Sequence, residues 1–197
     1  MGQADGGMHL VQTPADVQQL DVRDPAKLAF VTQTTLSVDD AAQIVAALRA
    51  RFPEIRGPKQ DDICYATQNR QDAVKFMAPR CDVVIVVGSP NSSNSNRLRE
   101  IGAELNVPSY LIDDANIVDA AWFKDARTVG LTAGASAPEE LVNEVLERLA
   151  QFGPIEVHNL EGIEENVRFK LPEMLWDVAE SPYGGPRPAG ASLAVAE

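Results

Sequence analysis

Short apolar runs alternate with amphipathic helical patterns along this chain, and their order predicts a parallel α/β fold. The strand–helix pairs are Leu28 to Thr32 then Val38 to Arg51; Val83 to Val87 then Asn94 to Leu105; Tyr110 to Ile112 then Ile117 to Lys124; and Thr128 to Thr132 then Ala137 to Phe152. A further helix is predicted from Tyr65 to Met77, stopped by Pro79. Pro53, Gly57 and Pro58 break both periodicities, so Phe52 to Gln60 reads as the internal boundary. Past Gly153 the pattern weakens. Ile155 to Leu160 and Val167 to Leu171 read as short strands around the acidic turn Glu161 to Glu165, and Asp177 to Glu197, rich in Pro, Gly, Ala and Ser, reads as a disordered tail.

Two of these units resemble each other. Val31 to Phe52 and Leu131 to Phe152 align at one offset, with Thr32 over Thr132, Asp40 over Glu140, Val45 over Val145 and Phe52 over Phe152. Both carry a capping-box pattern, Ser37 with Asp40 and Ser136 with Glu139, and together they point to repeated α/β units.

Chemistry enters at the junction of the second pair, where Val83 to Val87 gives way to Gly88-Ser-Pro-Asn-Ser-Ser-Asn-Ser-Asn-Arg97 just as a helix begins. Helix N-termini leave backbone N–H groups unpaired and carry partial positive charge, so Ser92, Ser93 and Asn94 would add neutral donors around a bound phosphate. An ordinary capped turn is the competing reading, but the unbroken Ser/Asn run from Asn91 to Asn96 exceeds what one cap needs. In open parallel sheets ligands sit beyond the carboxyl ends of strands. The loops carrying Thr34, Ser92 to Asn94 and Ser136 all leave such ends, so three loops are expected to converge on one ligand.

Charge narrows the ligand's environment. The 197 residues are 45% hydrophobic, enough for a sizeable core, and carry a formal charge of −12 with a pI near 4.6. That balance opposes nucleic-acid binding, which rests on clustered Lys and Arg, so an anion must be gripped by local donors. There is neither a long apolar run nor a signal-peptide pattern after Met1, so no membrane role is expected and the cytoplasm is the default location.

The two cysteines, Cys64 and Cys81, fit no zinc or ferredoxin spacing within the chain. Cys81, just before the strand at Val83, is expected to pack as a small core residue. Cys64 lies at a loop-to-helix junction, where a helix dipole would stabilise a thiolate, although taken alone it reads as structural rather than reactive. Acidic pairs such as Asp61-Asp62 and Asp113-Asp114 read as solvated faces and turns, and His9 and His158 have no partner motif.

Four segments taken together carry a family resemblance: Thr32-Gln-Thr-Thr-Leu-Ser-Val-Asp-Asp40, Asp61-Asp-Ile-Cys-Tyr-Ala-Thr-Gln-Asn-Arg70, Val86-Val-Gly-Ser-Pro-Asn-Ser-Ser-Asn-Ser-Asn-Arg97 and Thr132-Ala-Gly-Ala-Ser-Ala-Pro138. In this order, from about Met1 to about Leu175, the chain resembles the IspH (LytB) family of 4-hydroxy-3-methylbut-2-enyl diphosphate reductases. The resemblance implies an iron–sulfur oxidoreductase of the non-mevalonate isoprenoid pathway. It removes an allylic hydroxyl reductively, using electrons from a donor such as ferredoxin or flavodoxin. It implies Cys64 as one of three cysteine ligands of a [4Fe-4S] cluster, and Ser92, Ser93, Asn94 and Ser136 as ligands of the allylic diphosphate substrate. Thr34 is implied as the threonine that positions the substrate hydroxyl, with Thr67 near the substrate.

The implied fold is a trefoil of small parallel-sheet α/β units, here truncated at the N-terminus. Residues 1–60 correspond to the latter part of a second domain, 61–152 to a complete third domain, 153–176 to a closing segment and 177–197 to the tail. Two cluster cysteines, the diphosphate-contacting histidines and the acidic proton donor of the family are missing from these residues. The chain is therefore expected to be inactive alone. A non-catalytic diphosphate-binding or chain-associating α/β fragment is the alternative; a generic sugar-phosphate or nucleotide module explains the Ser/Asn loop but not Cys64 together with the other motifs.

Overall fold

The fold is seen in a computed structural model that describes residues 7–58 and 62–160, all within one compact unit spanning Met1–Ile163. Its centre is β1 (Val83–Val87), every residue of which is buried. This continuous apolar run is what a strand covered on both faces requires. β1 pairs in parallel with β2 (Ser109–Ile112), Val84 opposite Ser109, and with β3 (Val129–Ala133), Val83 opposite Val129, giving the order β2-β1-β3.

Alternation along β1 assigns its two faces. Val84 and Val86 join Val74 and Met77 of α3 (Tyr65–Met77) and Leu98 and Ile101 of α4 (Ser93–Glu104). Ile85 and Val87 meet Ile112, Val118 and the residues Val145 and Leu149 of α5 (Glu139–Ala150). Residues 11–55 form a separate core in which Val17 of α1 (Pro14–Gln19) packs on Leu48 of α2 (Val38–Arg51) and on Phe52. A capping box starts α1: Thr13 Oγ1 accepts from Asp16 N–H (3.2 Å) while the Asp16 carboxylate accepts from Thr13 N–H (2.8 Å). α4 ends on Asn106, whose left-handed φ of 62° lets Val107 N–H reach Gly102 O at 3.1 Å.

The expected α2, α3 and β1 are found residue for residue. Leu28 to Thr32, expected as a strand, makes a single parallel bridge among the described residues, Ala29 to Arg56, and at its end Thr32 N–H goes to the Asp62 carboxylate (2.8 Å) rather than to a strand. The helix expected over Ile117 to Lys124 is replaced by two short 3₁₀ turns, Ala115–Ile117 and Ala120–Phe123. Asp114 and Asp119 each accept the N–H two residues ahead (2.8 and 2.9 Å), which starts a new turn rather than extending one helix. Ile155 to Leu160 does not form a strand, and Ile155, Val157 and Leu160 are exposed among the described residues. The expected strand Val167 to Leu171, the rest of the closing segment and the tail lie outside the described residues.

Asp82 ties the amino ends of β1 and β3 together. Its Oδ2 accepts from Arg127 N–H and Thr128 N–H, both at 2.9 Å. These two backbone donors hold its carboxyl below the ordinary 3.8. A depressed folded-state pKa stabilises at pH values above the unfolded one, and that contribution disappears as pH falls through the folded value. Asp82→Asn is accordingly expected to melt below the parent chain at pH 7, with the difference closing in melts taken below about pH 3.8.

Candidate anion-binding site

The site is built where β1 and β3 end. Gly88 N–H donates to Ile112 O and Gly134 N–H to Val87 O, both at 2.8 Å, so the two glycines lie side by side at the carboxyl edge. α4 begins directly over them: a Cβ on either glycine would overlap the Ser95 hydroxyl. This close approach brings the α4 N-terminus against Gly134, at the start of the loop that carries Ser136.

The Ser/Asn run then separates into roles. Ser92 is the N-cap, its hydroxyl accepting from Ser95 N–H at 3.3 Å. Asn96 turns back to donate to Pro90 O (2.6 Å) and Ser92 O (3.0 Å), closing the loop. Ser95 is buried against the glycines, and Ser93 and Asn91 are exposed. Asn94 differs from all of these: only 6% exposed, it has neither Oδ1 nor Nδ2 hydrogen-bonded. An unpartnered buried carboxamide at a helix N-terminus is a donor–acceptor pair left for something else.

Ser136 corrects an expectation. Pro138 occupies the N-cap of α5 and no side chain caps that helix, so the Ser136–Glu139 box does not form. Ser136 is left exposed two residues upstream of the cap. On α2 the Ser37 half of the expected box is present, accepting from Asp40 N–H at 3.2 Å, while the Asp40 carboxylate pairs with Arg97 at 3.5 Å.

Facing α4 across an open groove of about 520 Å³ is the Thr34 loop, with Gln33, Thr35 and Ser37 opposite Asn91, Ser93 and Asn96. Thr34 itself is exposed, and its carbonyl accepts from Cys64 N–H at 3.1 Å. Cys64 is the N-cap of α3, makes no side-chain cap and is exposed. Thr67, one turn on, is buried, its N–H directed at Cys64 O (2.8 Å). Arg97 is the cation lining the groove, and Asp40, Glu100 and Glu104 all pair with it. Three carboxylates thus already engage the cation of this groove, and the remaining donors along it are neutral.

Cys81 lies at the opposite, amino end of β1. Burial, aided by the Asp82 charge, pushes its thiol pKa up, and it packs with Met77 against Gly130, as expected of a core residue. Among the described residues no group of three or more His, Cys, Asp or Glu is placed to hold a metal ion. Nor is any described helix long and apolar enough to cross a membrane.

Two contributors escaped the sequence reading. Asp62 anchors Thr32, and Gln71, fully buried, donates from Nε2 to Leu36 O (2.8 Å) and accepts Val38 N–H at Oε1 (3.1 Å). The signal for Gln71 was available: it shares the inward helical stripe of Thr67, Val74 and Ala78, where a polar residue needs partners.

Residues 1–150 match the LytB protein family. Relatives named 4-hydroxy-3-methylbut-2-enyl diphosphate reductase are 64% identical in Aromatoleum aromaticum and 65% in an Azoarcus species, each over 175 residues. Those matches cover 89% of this chain and 56% of the relatives, so the chain spans a little over half their length. The solved structure of the E-1-hydroxy-2-methyl-but-2-enyl-4-diphosphate reductase from Plasmodium falciparum is similar with a TM-score of 0.76 and 36% identity. It covers 86% of this chain and 54% of that one.

Proposed function

The chain belongs to the LytB protein family, and from that premise we propose that it supplies the diphosphate-gripping part of a 4-hydroxy-3-methylbut-2-enyl diphosphate reductase. The overall change is loss of the allylic hydroxyl as water with uptake of two electrons and two protons, giving isopentenyl and dimethylallyl diphosphates. The observation that carries the reading is Asn94, a buried and unpartnered carboxamide at the N-terminus of α4 beside Gly134. Asn94, Ser92, Ser93 and Ser136 hold the diphosphate through neutral donors and the helix N-terminus. Thr34, on the facing loop, orients the hydroxyl that leaves. The separate cores of residues 11–55 and of the sheet support a division near residue 60 into parts of two α/β domains.

The donor set of this chain does not by itself fit the family's [4Fe-4S] cluster. Known cubane sites use three or four protein ligands, and the sequence has two cysteines, one of them the half-buried Cys81 at the far end of β1. Cys64, exposed at the start of α3, is the residue suited to be one ligand. Electrons would come from a ferredoxin or flavodoxin, and the cytoplasm is the corresponding location. The alternative, a non-catalytic diphosphate-binding fragment, uses the same grip. An in-frame coding extension upstream of Met1 with two more cysteines favours the reductase, and a nearby stop codon favours the fragment.

The grip is tested by calorimetric titration of the chain with inorganic diphosphate. A few neutral donors on an acidic protein are expected to give a dissociation constant in the range of about 1 mM, weakened little by salt because no surface cation carries the contact. Heat indistinguishable from dilution, or binding abolished by modest salt, would sink the site.

A further inference from the structure

Residues 32–40 are fastened along α3 and the loop before it at successive points. Thr32 N–H meets the Asp62 carboxylate (2.8 Å), Thr34 O accepts from Cys64 N–H (3.1 Å), and Asp39 pairs with Lys75 (2.7 Å). Between them lies Gln71, without solvent exposure, bonded to Leu36 O and Val38 N–H. Val38 is the first residue of α2. Its N–H is one of the four that a helix leaves unpaired, and Gln71 supplies the acceptor from another helix. The outer ties are partly exposed and individually weak, whereas Gln71 bonds twice in a dry setting where losing a partner is costly.

We propose that Gln71 is a positioning residue: its buried carboxamide fixes the Thr34 loop in register on the helix that Cys64 begins, so that hydroxyl and thiol are held as one unit beside the anion site. The functional consequence rests on the site reading given above, but the mechanical claim does not.

Two variants of the 197-residue chain test it through amide hydrogen exchange followed by NMR. Gln71→Met keeps length and volume but neither bonds Leu36 O nor accepts from Val38 N–H. It is expected to speed exchange at Cys64 and Val38 about tenfold, more than at Val84 and Val86 in β1, which report general destabilisation. Gln71→Glu restores both bonds only when protonated, so its protection at Cys64, corrected for intrinsic rates, is expected to rise as pH is lowered from about 8 to 5 through the buried carboxyl's raised pKa. A Gln71→Met chain with parental protection at Cys64 overturns the proposal, as does a Gln71→Glu chain whose Cys64 protection is indifferent to pH. Inorganic diphosphate titrated into the same samples separates the two readings. Affinity lowered in Gln71→Met supports the link to the site. No binding even by the parent chain removes the site reading and leaves the exchange data to decide on Gln71.

Discussion

Asn94→Leu is expected to melt higher than the parent chain and to lose measurable affinity for inorganic diphosphate. The two effects have one cause. In the free chain the carboxamide is nine-tenths buried with both polar atoms unpaired, a penalty of about 1–3 kcal/mol for a buried group without a partner. Leucine has the same branched shape, no polar atoms and a better helix propensity at this second position of α4. Recovering about 1 kcal/mol would raise the melting temperature by about 2–4 °C for a chain of this size. The ligand, in contrast, loses a hydrogen bond to a charged oxygen worth about 1.5–3 kcal/mol, or about 10- to 100-fold in affinity. Thermal melts and calorimetry on one preparation read both. A lower melting temperature with unchanged diphosphate affinity would show that Asn94 is an ordinary structural residue.

How much of this was legible beforehand follows from the range over which each feature is decided. α2, α3 and β1 were readable to the residue because a strong period met a Ser cap, a Pro stop or a polar break within a few positions. The segment after β2 departs from the expected helix because Asp119, whose polarity fits a helical period, captures Ala121 N–H and starts a separate turn. Leu28 to Thr32 has strand composition, but among the described residues its backbone bridges only to Arg56, and pairing is settled by what lies alongside. Ser136 looked like a cap because Glu139 follows at the right spacing, yet Pro138 takes the capping position and frees the serine.

The anion site was readable as chemistry but not as individual roles. Nothing local distinguishes Asn94 from Asn96 or Ser95 from Ser93. The distinction arises when Gly88 and Gly134 admit Ser95 to the sheet edge and Pro90 O captures Asn96, leaving Asn94 buried and unbonded. The significance of those glycines is tertiary: it lies in the space they leave for Ser95.

Gly134→Ala is the second large effect expected, and it tests this sheet-edge packing directly. Neither glycine at the edge has a positive φ, so space rather than backbone freedom requires them. A methyl at 134 would overlap Ser95 Oγ, the only atom beyond Cβ on a fully buried side chain, while lying 3.7 Å from Asn94 Nδ2. Overpacking of this kind costs about 1–3 kcal/mol, so the melting temperature should fall by about 2–4 °C for each kcal/mol, with diphosphate affinity falling as Asn94 is displaced. Ser95→Ala removes the offending oxygen and leaves Ser95 Cβ at 3.4 Å from the new methyl, so the double variant should regain most of the stability lost by Gly134→Ala. At Gly88 the same rescue should be poorer, because there the Ser95 Cβ itself lies 2.9 Å from the added methyl. Equal rescue at both glycines would mean that Ser95 is not seated between them.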